Sequence, residues 1–528
     1  VNGKPIPACT TKVDQDGLIV FTNLPKLKDF VKCNLGLIMS RHPNACMNCE
    51  RAGRCELQKL VHRYDMHDRW PKWKEEHQWD DSSTQSIVFD LDKCIRCTRC
   101  VRACSDLQGM DILKMAGRGD KIHPTTFGEL PLAQTDCIEC GQCSVFCPTS
   151  AIIERPQWRT LLDEMEEISP KRRNLHVVQT APATRAAIGE ALGFDAGTIS
   201  TGKMVHALRQ LGFDHVFDTT TTADLTIMEE AGELLHRVEK GGPFPMFTSC
   251  CPSWVNLVEK KYPTLIKHMS TCRSPQQMLG SILKHYLAKS VLNTPPERVT
   301  LTSIMPCTAK KGEAARKEFA GDVDHVLTTR ELAHLIQLKG IHFGSLSDSE
   351  QFDKPMGAHS GAGVIFGATG GVLEASLRTA FELYTGEVLT KEQIDFHQVR
   401  GLEEVRQATI QFGSIPLRVA VVHSTSSARR LVEQKILPAM EAGEPPLYHF
   451  VEVMACRGGC AGGGGQPRSM DPLVLQKRIA GIYSVDERAV IRKSHENPDV
   501  QALYKDFLGT PGSSIAKKLL HRHYRIQE

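Results

Sequence analysis

Two adjacent cysteines, Cys250 and Cys251, lie in the segment F-T-S-C-C-P-S-W at residues 247–254. Neighbouring side chains are turned by about 100° in a helix and about 180° in a strand, so the two thiols cannot face one point. We therefore expect one cysteine to bind a metal and the other to remain a thiol that exchanges protons. A pair of buried structural cysteines is the alternative, because free cysteine is often buried.

Three further cysteines lie in two segments far downstream. Cys307 belongs to M-P-C-T-A-K-K, which also contains Lys310, and Cys456 and Cys460 belong to A-C-R-G-G-C-A-G-G-G-G. Together with Cys251 they supply four thiolates, the number that ligates a cubane iron-sulfur cluster. The glycines around Cys460 allow the backbone to come close to a bulky inorganic group.

These three segments resemble the three signature segments of the [FeFe] hydrogenases. The resemblance implies an H-cluster, in which these four cysteines hold a [4Fe-4S] cluster and Cys456 also bridges to a diiron centre with CO, CN and dithiolate ligands. It also implies that Cys250 passes protons to the dithiolate bridge and that Lys310 pairs with a cyanide. Five more residues are expected to bind or line the diiron centre: Pro182, Ser274, Gln276, Met305 and Met454.

A route for protons is the next requirement, because each group must lie within hydrogen-bond reach of the next. The segment D-L-T-I-M-E-E-A-G-E-L-L-H-R-V-E has helical periodicity, and Glu233 and Arg237 are four residues apart on one face. Composition alone favours a solvated helix face. The resemblance instead implies a path from the surface to Cys250 through Arg237, Glu233, Ser270 and Glu230.

Eight cysteines form two runs with the same spacing, C-x2-C-x2-C-x3-C. Bacterial two-cluster ferredoxins have this arrangement, and the fourth cysteine of each run ligates the other [4Fe-4S] cluster. Zinc is the alternative metal, but two identical runs favour iron-sulfur clusters. One expected cluster uses Cys94, Cys97, Cys100 and Cys147. The other uses Cys104, Cys137, Cys140 and Cys143.

One histidine and three cysteines follow the spacing H-x3-C-x2-C-x5-C, at His42, Cys46, Cys49 and Cys55. A structural Cys3His zinc site is compatible with these ligands. The segment also resembles the large iron-sulfur subunit of NADH dehydrogenase, which implies a [4Fe-4S] cluster with one histidine ligand. Three relay or accessory [4Fe-4S] clusters are therefore expected ahead of the H-cluster.

Several elements must position these ligands, and the fold class that we predict is multidomain α+β and α/β. Residues 1–28, with a predicted strand pair and Cys9, resemble the end of a plant-type [2Fe-2S] ferredoxin domain, whose cluster we expect only in the full-length protein. A His/Cys3 domain is predicted at 29–84 and a two-cluster ferredoxin domain at 85–160, both ferredoxin-like iron-sulfur modules. A two-lobed α/β catalytic domain is predicted at 172–468 and a helical cap at 469–528. Since Cys251 and Cys307 are in the first half of the catalytic domain and Cys456 and Cys460 in the second, the cluster should lie between the lobes.

Composition limits the classes of partner and the cellular compartments that this chain can have. The net charge of +3 over 528 residues, without a basic run, argues against nucleic acid as a partner. The sequence contains no stretch of about 18 uncharged apolar residues, so it predicts no membrane span. Nineteen cysteines in a large chain indicate metal binding in a reducing compartment rather than a disulfide framework. The chain starts at Val1, so we interpret it as a fragment, intracellular and anaerobic, of the cytoplasm or of a hydrogenosome-type organelle.

The predicted function is reversible reduction of protons to H2, with ferredoxin as the electron partner and maturation proteins as the source of the diiron centre. An NADH-oxidising partner in a larger complex stays open. An iron-sulfur assembly protein and a sensory hydrogenase module are alternatives, and both should lack part of the Cys250 and Lys310 set. Arg457, next to the bridging Cys456, is predicted to influence the cluster potential through its charge.

Overall fold

The computed structural model describes residues 5–8, 11–43, 45–66, 80–166, 174–469, 471–524 and 526. In these ranges the strands, numbered β1 to β13, are Asp80–Asp81, Ile87–Asp90, Lys114–Ala116, His123–Thr125, Ile152–Glu154, Leu175–Thr180, His215–Asp218, Met246–Phe247, Val299–Met305, His325–Thr328, Val405–Phe412, Ile415–His423 and Phe450–Met454. The α-helices, numbered α1 to α20, are Pro25–Arg41, Glu56–Arg63, Arg99–Arg102, Gln142–Phe146, Trp158–Met165, Ile188–Ala191, Thr201–Leu211, Thr219–Lys240, Pro252–Lys261, Pro275–Ile282, Ala288–Ser290, Ala309–Ala314, Thr329–Leu338, Gly361–Ile365, Gly371–Thr385, Thr425–Leu431, Leu437–Glu441, Pro472–Arg488, Pro498–Leu503 and Ser514–Leu520.

The cysteine-rich N-terminal part is built on very short strands. Strands β1, β2 and β5 form an antiparallel sheet, and β3 pairs with β4. Phe89, Leu91 and Ile152 form an apolar core that packs directly against Cys100 and Cys147. Few apolar side chains are available here, so this part depends on its cysteine-bearing loops, and metal binding is expected to supply much of its folding free energy.

The first large sheet has the order β10-β9-β6-β7, with all strands parallel. Every residue of the central strand β9 is buried, as expected for a parallel sheet covered by helices on both faces. Helix α7 and helix α13 pack their apolar sides on one face of this sheet, and α10 lies among the buried residues on the other. The predicted strand at Val299–Met305 is therefore confirmed.

The second large sheet has the order β11-β12-β13-β8. Strands β12, β13 and β8 are parallel, whereas β11 is an antiparallel edge strand. The short strand β8 directly precedes Cys250 and Cys251, so this cysteine pair belongs to the second sheet although it comes early in the chain. Cys251 thus follows a strand of the second sheet and Cys307 a strand of the first, because β8 pairs with β13 rather than with its sequence neighbours.

Two other features of the ends of the chain bear on the predictions. Residues 5–8 and 11–24 form no strand, and helix α1 follows them, so the predicted strand pair is wrong for the described residues. Two isolated short strands have little stability in water. Cys9 lies outside the described residues.

The C-terminal segment is helical as predicted, and its Ser494 and Asn497 both donate hydrogen bonds to the buried carboxylate of Asp224. None of the described helices has the length and apolar character needed to cross a membrane.

Candidate active site

The site lies where the carboxyl ends of parallel strands from both large sheets meet. Pro182 follows β6 and Cys307 follows β9 in the first sheet, while Cys251 follows β8 and Cys456 follows β13 in the second. Ligands of open α/β sheets bind outside the carboxyl ends of the strands. Cys460 is in the short turn Gly459–Gly462 after Cys456. The four predicted cluster cysteines are thus brought to one place from three separate segments.

A cavity with an empty volume of about 770 Å³ opens between these strand ends. Its walls include most of the residues predicted from the sequence: Pro182, Cys250, Cys251, Gln276, Met305, Cys307, Lys310, Met454, Cys456 and Cys460. Ser274 does not line it, because its hydroxyl donates to Glu313 at 2.9 Å. Thr219, Ala223 and Phe366 also line the cavity. Thr219 and Ala223 were not predicted, since small and threonine side chains carry no recognisable signal.

The chemistry of the cavity walls fits a metal cluster. Burial, followed by the charges of neighbouring cysteines, raises the pKa of Cys456 to about 12 and raises the pKa of Cys307. Neutral thiols in such a group gain little from one another, whereas a cationic cluster binds all of them as thiolates. Gln276 Oε1 and Ser253 Oγ are buried and have no hydrogen-bond partner among the described residues. These two groups suit polar ligands of a bound cofactor.

Lys310 is held at the cavity by a buried carboxylate. Its Nζ donates to Glu313 Oε2 at 2.8 Å and to the Cys250 carbonyl at 3.2 Å. Glu313 is almost fully buried and also accepts from Ser274 and Gln276. The ammonium group is therefore kept next to the backbone of Cys250. Sequence reasoning missed Glu313, although its position three residues after Lys310 on one helix was a usable signal.

The glycine-rich segment after Cys460 lets three backbones meet. A Cβ atom on Gly463 would overlap the carbonyl oxygen of Pro306, and one on Gly464 would overlap the carbonyl oxygen of Cys140. These glycines have no room for a side chain. The Cys460 loop consequently touches the Cys307 loop on one side and the ferredoxin-like part on the other.

A glutamine connects the ferredoxin-like part to the predicted bridging cysteine. Gln142 Nε2 lies 3.4 Å from Cys456 Sγ and 3.0 Å from the Gly462 carbonyl, and it can donate to both. The charge of Cys456 is also among the causes that raise the pKa of Cys140, after burial. The last relay cysteines and the catalytic cavity are therefore direct neighbours. No sequence signal distinguishes Gln142 from an ordinary glutamine.

Hydrogen bonds join part of the predicted proton path, from Arg237 through Glu233 to Ser270. Arg237 Nη2 donates to Glu233 Oε1 at 2.6 Å, and Ser270 Oγ lies 3.5 Å from Glu233 Oε2, a long hydrogen bond. Glu230 is fully buried near Ser270 and Glu233, and its Oε2 has no hydrogen-bond partner among the described residues. Burial raises the pKa of Glu230 to about 8, against the smaller opposing effect of Ser270. Burial, followed by the charge of Glu230, raises the pKa of Cys250.

The eight cysteines of the two ferredoxin-like runs form two groups, and each group contains cysteines from both runs, as expected from their spacing. Cys94, Cys97, Cys100 and Cys147 line one small cavity. In the other group, Cys137 and Cys104 both raise the pKa of Cys143, after burial. The fourth cysteine of each run thus lies with the first three of the other.

Two of the three cysteines of the His42 group, Cys49 and Cys55, lie near each other. Cys55 is buried, and burial raises its pKa, with a smaller contribution from the charge of Cys49. Cys49 Sγ lies 2.9 Å from Ser150 Oγ of the ferredoxin-like part. Cys46 is exposed, and His42 follows the end of α1. The structure therefore brings Cys49 and Cys55 close together and leaves Cys46 at the surface.

Arg457, the charged neighbour of Cys456, is exposed and lines an open groove between the ferredoxin-like part and the second sheet. Water and salt screen a charge in this position. Its influence on a buried cluster should accordingly be small.

Comparisons with known families agree with this architecture. Residues 174–464 match the iron only hydrogenase large subunit, C-terminal domain, and residues 472–527 match the iron hydrogenase small subunit. Residues 32–69 match the NADH-ubiquinone oxidoreductase-G iron-sulfur binding region, and residues 93–151 match the 4Fe-4S dicluster domain.

Three known proteins show how far the similarity extends. The chain is 44% identical over 530 residues to the NADP-reducing hydrogenase subunit HndD of Solidesulfovibrio fructosivorans, covering 98% of this chain and 88% of that protein. It is 38% identical over 531 residues to iron hydrogenase 1 of Clostridium pasteurianum, covering 98% and 90%. A solved [FeFe]-hydrogenase HydA1 from Chlamydomonas reinhardtii superposes with a TM-score of 0.61 at 41% identity, over 70% of this chain and 98% of that one.

Iron-sulfur modules that lead to a cysteine-walled cavity between two α/β sheets define an iron-sulfur oxidoreductase that acts on H2. The chain belongs to the [FeFe] hydrogenase family. Its cofactors are accordingly iron-sulfur clusters and an H-cluster, and the predicted fold class is confirmed.

Proposed function

We propose that this hydrogenase exchanges electrons with ferredoxin and passes them along three [4Fe-4S] clusters to the H-cluster. The contact of Gln142 with Cys456 supports this proposal most directly. Through it the ferredoxin-like part touches the wall of the catalytic cavity, so the separation that electrons must cross is short.

The ligand sets that we propose follow the grouping of the cysteines. Cys94, Cys97, Cys100 and Cys147 would hold one relay cluster, and Cys104, Cys137, Cys140 and Cys143 would hold the second. His42, Cys46, Cys49 and Cys55 would hold the third. Cys251, Cys307, Cys456 and Cys460 would hold the [4Fe-4S] part of the H-cluster. A [2Fe-2S] cluster belongs to the proposal for the full-length protein only.

The diiron centre, when bound, supplies the site at which protons and electrons combine into H2. The protein contributes proton delivery, position and a dry pocket. In our proposal Cys250 donates its thiol proton into the cavity, and Glu230 restores it. Glu230 suits this role because its raised pKa keeps it protonated at neutral pH. Lys310, fixed by Glu313, would orient a cyanide ligand.

The surface near the first relay cysteines supports an acidic protein partner. Burial, followed by the charge of Arg41, lowers the pKa of Arg96, so two guanidinium groups share the surface beside Cys94 and Cys97. Acidic electron carriers such as ferredoxin are attracted to such a surface. Maturation proteins would supply the diiron centre.

A second candidate is a partner that oxidises NADH or NADPH. The name of one relative, the NADP-reducing hydrogenase subunit HndD, favours it. Reduced ferredoxin, given as the sole electron donor to the isolated holoenzyme, separates the two candidates. Rapid H2 production from it supports our proposal, whereas the second candidate predicts slow H2 production until NADPH and a partner that oxidises it are added together.

The test of the proposed mechanism is anaerobic H2 evolution from reduced methyl viologen, with iron-sulfur clusters and a synthetic diiron centre incorporated. Cys250→Ser is measured alongside, because a hydroxyl holds its proton too tightly for this exchange. We expect the variant to lose about 100-fold or more in rate, the range typical of a lost proton-transfer group. A Cys250→Ser variant with full cluster content and the parent rate would remove Cys250 from the path.

A further inference from the structure

A chain of hydrogen bonds continues from Glu233 in a direction away from the path described above. Thr271 Oγ1 lies 3.0 Å from Glu233 Oε2, and on its other side it lies 2.7 Å from His521 Nδ1. His521 Nε2 lies 2.9 Å from Glu229 Oε2. Glu229 also accepts from the hydroxyl of Tyr504 at 2.5 Å and from the Gly512 amide at 2.8 Å. Neither Thr271 nor His521 has a part in the path through Arg237.

The Thr271 hydroxyl has a single hydrogen, so it donates either to Glu233 or to His521. If it donates to Glu233, His521 Nδ1 must carry a hydrogen and donate to Thr271. Since Nε2 also donates to the Glu229 carboxylate, His521 is then an imidazolium and Glu233 a carboxylate. If Thr271 donates to His521, then Nδ1 has no hydrogen, and Glu233 must be the protonated donor. The two arrangements differ by one proton moved from His521 to Glu233.

We propose that His521 and Thr271 form a second proton entrance, which loads a proton onto Glu233 from the C-terminal segment. In the transfer the Nδ1–H bond of His521 breaks while Thr271 Oγ1 gains that proton. At the same time the Oγ1–H bond breaks and Glu233 Oε2 gains its proton. The products are a neutral histidine and a neutral carboxyl group, and no other reactant is needed. The His521 side chain is 14% exposed, so water can return a proton to it.

The partners of His521 are fixed in place. The side chain of Glu229 is 1% exposed and accepts two other hydrogen bonds, so its carboxyl group is held beside the imidazole ring. The backbone is fixed by bridges between the C-terminal segment and residues 271–273, where Cys272 pairs with His521. The charged and titratable groups that face His521 are Glu229, Glu233, Cys272, Arg273, Tyr504 and Arg522.

The structure offers a closely matched pair of variants. Thr271→Val keeps the shape of the side chain but removes the hydroxyl, while Thr271→Ser keeps the hydroxyl. The inference rests on the proposed role of Glu233, so Glu233→Gln is measured with them, together with His521→Gln and the Thr271→Val/His521→Gln double variant. Each holoenzyme is checked for iron content and thermal midpoint, and H2 evolution from reduced methyl viologen is recorded from acidic to alkaline pH.

We expect Thr271→Val and His521→Gln to lose about 10-fold in rate at acidic pH, less than a sole proton-transfer group because the Arg237 entrance remains. The loss should shrink as the pH rises, because the entrance works from protonated His521. Thr271→Ser should keep most of the rate, and the double variant should lose no more than either single variant, since both interrupt one chain.

Three results would overturn the proposal in different ways. If Glu233→Gln keeps the parent rate, the path through Glu233 is wrong and the second entrance with it. If Glu233→Gln is slow but Thr271→Val equals Thr271→Ser at every pH, the main path stands and the second entrance is rejected. A loss that does not vary with pH and that accompanies lower iron content would show that His521 only holds the C-terminal segment in place, and this also rejects it.

Discussion

Replacing Glu230 by glutamine should slow the enzyme and stabilise it at the same time. The carboxyl group is fully buried, and Oε2 has no hydrogen-bond partner among the described residues. Burial raises its pKa from the usual 4.5 to about 8. Glutamine has nearly the same shape and stays neutral, but it cannot pass on a proton. Activity and stability are therefore expected to change in opposite directions.

The stability effect depends on pH with a definite sign. The folded-state pKa lies above the unfolded value, so the unfolded chain loses its proton first as the pH rises. The free energy of unfolding that the Glu230 carboxyl group contributes at low pH is thus lost progressively between about pH 4.5 and pH 8. The difference between these two values corresponds to about 5 kcal/mol, at about 1.36 kcal/mol per pH unit. Partial hydration of the folded cavity and residual structure in the unfolded chain reduce this, and we expect about 2 kcal/mol.

The assay is anaerobic thermal unfolding of parent and Glu230→Gln holoenzymes at pH 5 and pH 8.5. The variant should resemble the parent at pH 5 and unfold about 2 °C higher at pH 8.5, at about 1 °C per kcal/mol for a chain of 528 residues. H2 evolution should fall by about 100-fold or more. Equal thermal midpoints of parent and variant at pH 8.5 would refute the inference that this carboxyl group is neutral and buried. A variant with the parent rate would refute its role in proton transfer.

Three further outcomes are expected from single changes near the cavity. Lys310→Met leaves Glu313 buried without its cation and should lower the free energy of unfolding by about 3 kcal/mol. Adding Glu313→Gln should recover stability in denaturant unfolding, and a double variant that recovers none would contradict this pairing. Gln142→Leu removes a donor to the Cys456 sulfur, so the reduction potential of the catalytic [4Fe-4S] cluster should fall in a spectroscopic redox titration. Arg457→Ala should lower the same potential by less than Gln142→Leu does, because the arginine is exposed, and a larger shift would show that its charge is poorly screened.

Residue type and spacing determined most of the chemistry. Iron-sulfur clusters are bound by cysteines at characteristic short intervals, so the two ferredoxin-like runs can be interpreted without coordinates. The segments around Cys307 and Cys456 are interpretable by their resemblance to a family's signature segments. Strands such as Val299–Met305 were also predictable, since the run V-T-L-T-S-I-M is rich in β-branched residues and ends at Pro306. These are local properties, so they can be recognised from the order of residues in the chain.

Contacts between distant segments were decided only by the tertiary structure. Strand β8 has two residues and no distinctive pattern, yet its pairing with β13 places Cys251 in the second sheet. Gln142 reaches Cys456 from 314 residues away, and His521 meets Thr271 from 250 residues away. Neither residue belongs to a periodic or spaced motif, because its partner lies on another element. Ligand identity therefore follows from the sequence, whereas the connections that carry electrons and protons to the site follow from packing.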